Sequence, residues 1–321
     1  MSSIETFPPP QSPFNLLPPR KIRDLPRTFL LEQLEDYYQT KPPVGAVESD
    51  YSLWECAETG LQFAWPMLPG NSIFYEWVSR FPTYYPGNRW EYRQVRDLLE
   101  GDSVMGKEAA VLDVGCGKGD FLRGLNSVSI QKYGLDFNEP AIEACRQNGF
   151  RAFCGTVESA LQADFFKPSM FSAVTSFHCL EHVDNPIQFV RSLLKVTASG
   201  GRVFISTPYS PMSFEVEHFD VMNHPPHHLT RWNLKPYQRL AELLGVKMRC
   251  HVPFSTAAQR TLAAFRVMHY GPWRSVSRKT LLADLLHQIP TVWRLYHQQL
   301  ERKRKYHGIG ADVILVELEV P

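Results

Sequence analysis

Residues 111–122, VLDVGCGKGDFL, constrain this 321-residue chain more than any other stretch. Val111, Leu112 and Val114 read as a buried strand of a parallel sheet. Gly115, Cys116 and Gly117 then turn the chain tightly, and Asp120, Phe121 and Leu122 open a helix. Glycine is needed there because a Cβ would hold a ligand off the backbone, and because the turn calls for φ > 0. Strand, glycine turn and helix start make a nucleotide-binding corner, with exposed N–H groups and a positive dipole end. A dinucleotide fingerprint runs G-x-G-x-x-G. Here a carboxylate, Asp113, stands two residues ahead of Gly115. It repels a pyrophosphate and suits a ligand that carries an ammonium group.

A second acid is expected at the end of the next strand, roughly 20 residues on, to accept hydrogen bonds from both ribose hydroxyls. Asp136, 19 residues beyond Gly117 in Tyr133-Gly134-Leu135-Asp136-Phe137, supplies it. On these residues the chain resembles the class I S-adenosylmethionine-dependent methyltransferases, in particular the group whose fourth strand is followed by Leu-Glu-His, here Leu180-Glu181-His182. The resemblance runs over about 104–252. It implies an α/β fold: a Rossmann-like seven-stranded sheet with helices on both faces. It also implies S-adenosylmethionine as methyl donor, held by Asp113, Gly115, Cys116, Gly117, Asp136, Phe137, Thr156, Val157 and His178. In the family an acid often follows the glycine after the third strand and contacts the adenine amine. Thr156 stands there instead, so backbone groups with Thr156 or Val157 are expected to edge the adenine.

The flanks resemble the family less. Residues 1–45 read as a proline-rich tail followed by a short helix over 22–40. Over 46–72, Gly60-Leu61-x-Phe63-x-x-Pro66 matches a zinc-knuckle turn found in many relatives. Thr59 replaces a cysteine and no cysteine precedes Cys56, so a metal-free hairpin is expected. The methyltransferase domain is expected over 73–321. Before the glycine strand, an aromatic and arginine-rich segment with a helix over 89–100 acts as a lid in similar enzymes. Tyr85, Arg89 or Arg93 could then reach the methionine carboxylate; ordinary packing of the helix is the other reading.

Histidines concentrate where the carboxyl ends of the strands should lie. His178 and His182 follow the fourth strand, giving His178 a cofactor contact and His182 an acid/base role. The alternative is that Glu181 and His182 merely cap the turn into the next helix. His218, His224, His227 and His228 cluster beyond the fifth strand, itself expected over 202–207 after a Gly200-Gly201 turn. His224-Pro-Pro-His-His-Leu-Thr-Arg-Trp232 looks like a signature of one branch of the group. General base or substrate contact, with His227 or His228 as the base, stands beside loop-locking and metal binding. The spacing is unspecific for a metal, and no ligand set is assigned.

A strand over 246–252 and a closing strand over 311–320 bracket a helical insert over about 255–307. Residues 260–305 hold ten Lys/Arg and two Asp/Glu, so the insert is strongly basic and would attract an anionic substrate or membrane surface. The chain as a whole carries a formal charge of +1, so no nucleic-acid partner is expected. Six scattered cysteines and the absence of a long apolar run read as a reduced cytoplasmic protein. Methyl transfer to a small-molecule or glycan acceptor is expected, a sugar or other anionic metabolite. An aromatic or quinone-like acceptor, a catalytically silent S-adenosylmethionine-binding scaffold and a membrane-surface protein are the competing readings.

Overall fold

A computed structural model describes residues 9–14, 17–81, 84, 89–101, 109–126, 130–215, 218–271, 276–305 and 310–321. The chain opens with a strand, β1 (Arg20–Leu25), and then α1 (Arg27–Tyr38). The helix expected over 22–40 is therefore shorter at its start. Pro26 has no N–H for a helix interior and becomes the N-cap. The residues ahead of it pair antiparallel with β2 (Tyr51–Glu55), Leu25 opposite Tyr51. Part of the proline-rich tail is also held: Phe14 is buried, its ring 6.3 Å from that of Trp232.

β2 and β3 (Gln62–Trp65) pair antiparallel as a hairpin. Its turn closes where the Cys56 N–H donates to the Leu61 carbonyl at 2.9 Å. α2 (Ser72–Val78) follows, capped by Asn71, and then α3 (Trp90–Glu100), which buries Glu91, Val95 and Leu99.

β4 (Ala110–Val114) is buried at every residue, as a central parallel strand should be. The helix after the glycine turn, α4 (Asp120–Arg123), is a single turn. β5 (Gln131–Asp136), α5 (Glu139–Gln147), β6 (Arg151–Cys154), α6 (Val157–Gln162), β7 (Phe171–Phe177) and α7 (Pro186–Val196) then alternate. Asn138 and Asn185 cap α5 and α7, each with a proline in the first turn. β8 (Thr197–Pro208) starts earlier than the expected 202. Gly200 and Gly201 lie within it rather than in a preceding turn, and the pairing with β7 shifts register between Phe171 and Ala173. A two-residue strand, β9 (Thr230–Arg231), precedes α8 (Leu234–Leu244), which ends at Gly245 with φ 67°.

β10 (Lys247–His251) leads into the insert, made of α9 (Ala257–Tyr270), α10 (Arg278–His287) and α11 (Ile289–Lys305), and β11 (Val313–Glu319) closes the fold. Arg302, in the basic last turn of α11, is buried and donates to the carbonyls of Pro211, Gly310 and Ala311, with Asp312 3.3 Å away. That anchor ties the insert to the chain just after β8.

Seven strands form one sheet in the order β10-β11-β8-β7-β4-β5-β6, with β11 antiparallel to both neighbours. Chain order reverses between β4 and β7, so their carboxyl ends flank the crevice where such sheets bind ligands. Leu112 and Val114 face one apolar layer and Val111 the other. A second sheet, β1-β2-β3-β9, joins the N-terminal hairpin to the histidine-rich loop through β9. Among the described residues no helix is long and apolar enough to cross a membrane.

Candidate active site

The glycine turn has the geometry its sequence requires. Gly115, Gly117 and Gly119 have φ of 80°, 51° and 80°, and a Cβ on Gly115 would overlap the Cys179 thiol. The N–H groups of Gly115 and Cys116 donate to the Leu135 carbonyl at 2.7 and 2.9 Å, pinning the turn to the end of β5. Cys116 is buried, and its thiol, hydrogen-bonded to Cys145 and desolvated, is pushed far up in pKa; it lends backbone to the corner, not a thiolate.

Asp136 accepts from the Gly117 N–H at 2.8 Å through Oδ2 and from the Asn138 N–H at 2.9 Å through Oδ1. Each oxygen keeps a lone pair for a ligand hydroxyl. Burial raises its pKa, against the pull of those N–H groups. Phe137, next along, is 77 % exposed at the strand end, an apolar face on which a flat base can rest. Asp113 shares the β4 end but is buried, accepting from Thr175 Oγ1 at 2.7 Å. Burial pushes its pKa up to about 7, with the Thr175 bond opposing and the Asp136 charge adding. A bare glycine backbone, a carboxylate with a lone pair spare on each oxygen and a buried carboxyl that a nearby cation would ionise all fit S-adenosylmethionine.

Two of the expected adenine contacts are committed elsewhere. The Thr156 side chain accepts from the Ser159 N–H at 3.0 Å and caps α6, and the Val157 side chain lies in the core. Of the lid residues, Arg93 is exposed, Arg89 precedes α3 close enough to His178 to lower its pKa, and Tyr85 lies outside the described residues.

His178 sits at φ 53° directly after β7. Its Nε2 is 2.6 Å from Glu91 and its Nδ1 3.3 Å from Glu181. Burial and the Arg89 charge push its pKa down, but the two carboxylates outweigh them and the net direction is up. Both ring nitrogens are thus engaged, and His178 clamps α3 to the turn after β7. Glu91 is a site residue that the motifs miss. A signal was present: it shares a helical stripe with Val95 and Leu99, and a carboxylate on a buried stripe requires a partner.

The remaining histidines divide into two groups. His224 accepts from Arg231 at 2.6 Å through Nε2, and Arg231 makes a two-pronged pair with Glu215 at 2.9 Å. That network locks the loop, and His218 stands apart from it beside Phe214. His182, His227 and His228 instead come together, with one ring nitrogen of each within 4.8 Å of the others. Their partners fix the tautomers. Carbonyl oxygens only accept, so His182 Nδ1–H donates to the His227 carbonyl at 2.6 Å and His227 Nδ1–H to that of Met222 at 2.8 Å. Asn223 gives its amide N–H to Glu215, so its oxygen faces His228 Nδ1–H at 2.8 Å. Each ring is left with Nε2 as its acceptor nitrogen. Burial lowers the pKa of all three, with neighbouring histidines lowering those of His227 and His228 further, so the rings are neutral. Tyr84 Oη, which no motif marks, is 3.4 Å from His227 Nε2.

Residues 89–251, just over half the chain, match a family described as a methyltransferase domain. Among curated proteins, the ubiquinone biosynthesis O-methyltransferase of Vibrio cholerae is 32% identical over 116 residues, 34% of this chain and 45% of that one. The enzyme of the same name from Proteus mirabilis is 35% identical over 112 residues, covering 33% and 44%. The chain thus spans less than half the length of these relatives. A solved S-adenosylmethionine-dependent methyltransferase from Archaeoglobus fulgidus aligns over 71% of this chain and 94% of its own, at 17% identity and a TM-score of 0.44. Because the family match spans the strands that build the glycine corner and the turn after β7, the chain belongs to the methyltransferase-domain family.

Proposed function

We propose that the chain methylates a hydroxyl of a small-molecule acceptor seated between the glycine corner and the His182–His227–His228 cluster. The observation that carries this is the set of neutral imidazoles whose Nδ1–H groups are fixed and whose Nε2 atoms are acceptors, that of His227 facing Tyr84 Oη at 3.4 Å. When bound, the donor supplies its sulfonium methyl, the C–S bond breaking with its electron pair to sulfur as the acceptor oxygen takes the methyl. Asp136 holds the ribose, Phe137 backs the adenine, and the glycine backbone, bare of side chains, lies against the remainder. His227 or His228 takes the hydroxyl proton, with His182 orienting the pair. Most of the acceleration is proximity and orientation.

An aromatic or quinone-like acceptor has a specific observation behind it. Tyr75 and Tyr84, both partly exposed, lie 6.2 and 5.7 Å from the His227 ring, with the buried Phe74 5.9 Å from it, aromatic surroundings suited to a flat molecule. The names of the relatives point the same way. A sugar acceptor rests on the basic insert alone. The insert also offers a peripheral membrane contact: α10 buries no residue, and Leu282, Leu286, Ile289 and Trp293 are exposed beside Arg278, Lys279 and Arg294. The experiment is calorimetric binding of S-adenosylmethionine, followed by turnover on a panel of phenolic and sugar hydroxyls. Asp136→Ala should weaken donor binding about 100-fold or more, since it removes two charge-assisted hydrogen bonds. Donor binding without turnover on any acceptor would favour a silent scaffold.

A further inference from the structure

We infer that His182, His227 and His228 form a site for one divalent transition cation of the zinc type. One ring nitrogen of each lies within 4.8 Å of the other two. Because every Nδ1 is spent on a fixed acceptor, the nitrogen each ring can offer is Nε2, and on His227 the ion would displace the Tyr84 Oη that lies 3.4 Å from it. Imidazoles that ligate metals are oriented in this way, by donating the other ring N–H to a carbonyl or amide oxygen. The residues come from two places in the chain: the turn after β7 and the loop before β9. The His182 bond to the His227 carbonyl joins them, so the rings are gathered without an ion.

Two nitrogens at the usual 2.0–2.1 Å from a tetrahedral ion are about 3.3 Å apart. Binding therefore draws the rings together and opens the 19° stack of His227 on His228, whose centroids are 4.5 Å apart. Three neutral nitrogens with no carboxylate among them select zinc, cobalt, nickel or copper over magnesium or calcium. Three protein ligands leave a coordination position open. Here the inference rests on the proposed function. In the metal-loaded chain that position takes the acceptor oxygen, and the ion, instead of a free ring, favours loss of its proton to solvent. Sequence spacing conceals the site because His182 and His227 are 45 residues apart, while the histidines nearer in sequence, His218 and His224, have other surroundings.

The test is titration of chelator-stripped, full-length chain with Zn²⁺ by calorimetry and with Co²⁺ by visible absorption. One ion per chain should bind, with micromolar or tighter affinity. His182→Ala and His228→Ala should each weaken it at least about 100-fold, and His297→Ala, on the exposed side of α11, should leave it unchanged. Histidine ring NMR of the wild type decides the matter if those variants fail to fold, because Zn²⁺ must then shift three Nε2 resonances and no others. Absent stoichiometric binding by the wild type, binding that persists in both variants, or shifts on other rings would overturn the inference. Calorimetry with S-adenosylmethionine on the same preparation separates the two ideas: donor binding without metal binding sinks this inference and spares the proposed function.

Discussion

Folding carries the Asp113 carboxyl from the acidic range into the neutral one. Its pKa rises from 3.8 to about 7, so the folded chain holds a proton that the unfolded chain has released across that window. Stability must then fall as pH rises from about 4 to 7. Asp113→Asn should flatten that slope in chemical denaturation curves of the donor-free protein; an unchanged slope would mean that the carboxyl is already ionised. A bound sulfonium or ammonium pulls the pKa back down, so donor binding near pH 6 should release a proton, read as a buffer-dependent calorimetric enthalpy. The glycines, Asp113 and Asp136 are legible in the sequence because their task is local, a turn and the two strand ends beside it. Glu91 and Tyr84 are not, because their partners lie 87 and 143 residues away and only the fold brings them together.

Among the elements, the parallel strands and the helices between them are legible because each carries its own signals, a buried apolar run or an asparagine cap with proline. β1 is not, because a strand with the burial pattern of Arg20–Leu25, exposed except at Ile22 and Leu25, shows no apolar face and exists by pairing with β2. The insert is legible as basic and helical, but not as a unit anchored at one buried guanidinium. Arg302→Met should cost about 3–5 kcal/mol of stability, since it strips a buried charge from Asp312 and several carbonyls; thermal unfolding checks this. The outer side of the insert yields a separate expectation. Leu286→Glu with Trp293→Glu should lower binding to anionic phospholipid vesicles at least tenfold in sedimentation, because two apolar side chains no longer enter the interface. Equal binding by wild type and variant would remove the membrane from the reading.

At the scale of the whole molecule, the N-terminal sheet is not a separate appendage. Its fourth strand, β9, comes from the loop that carries His227 and His228, and the Ala64 N–H donates to the Leu229 carbonyl at 2.7 Å. Phe14, Cys56 and Leu61 enter the same apolar core as Val114 and Trp232, while Val221, Met222 and Leu229 pack into the N-terminal one. Each body thus completes the other, and the proposed acceptor site lies along their seam. The expected boundaries at 45 and 72 therefore divide the sequence at points where the packing is continuous. Cooperative unfolding follows, because neither core can open without exposing apolar surface of the other. Denaturant unfolding should show one transition, with coincident midpoints for fluorescence of Trp54 and Trp65 in the hairpin and of Trp232 in the main body. Two resolved transitions, the hairpin melting first, would mean that the N-terminal sheet only rests on the enzyme. The acceptor site would then have to be built from the seven-stranded sheet alone.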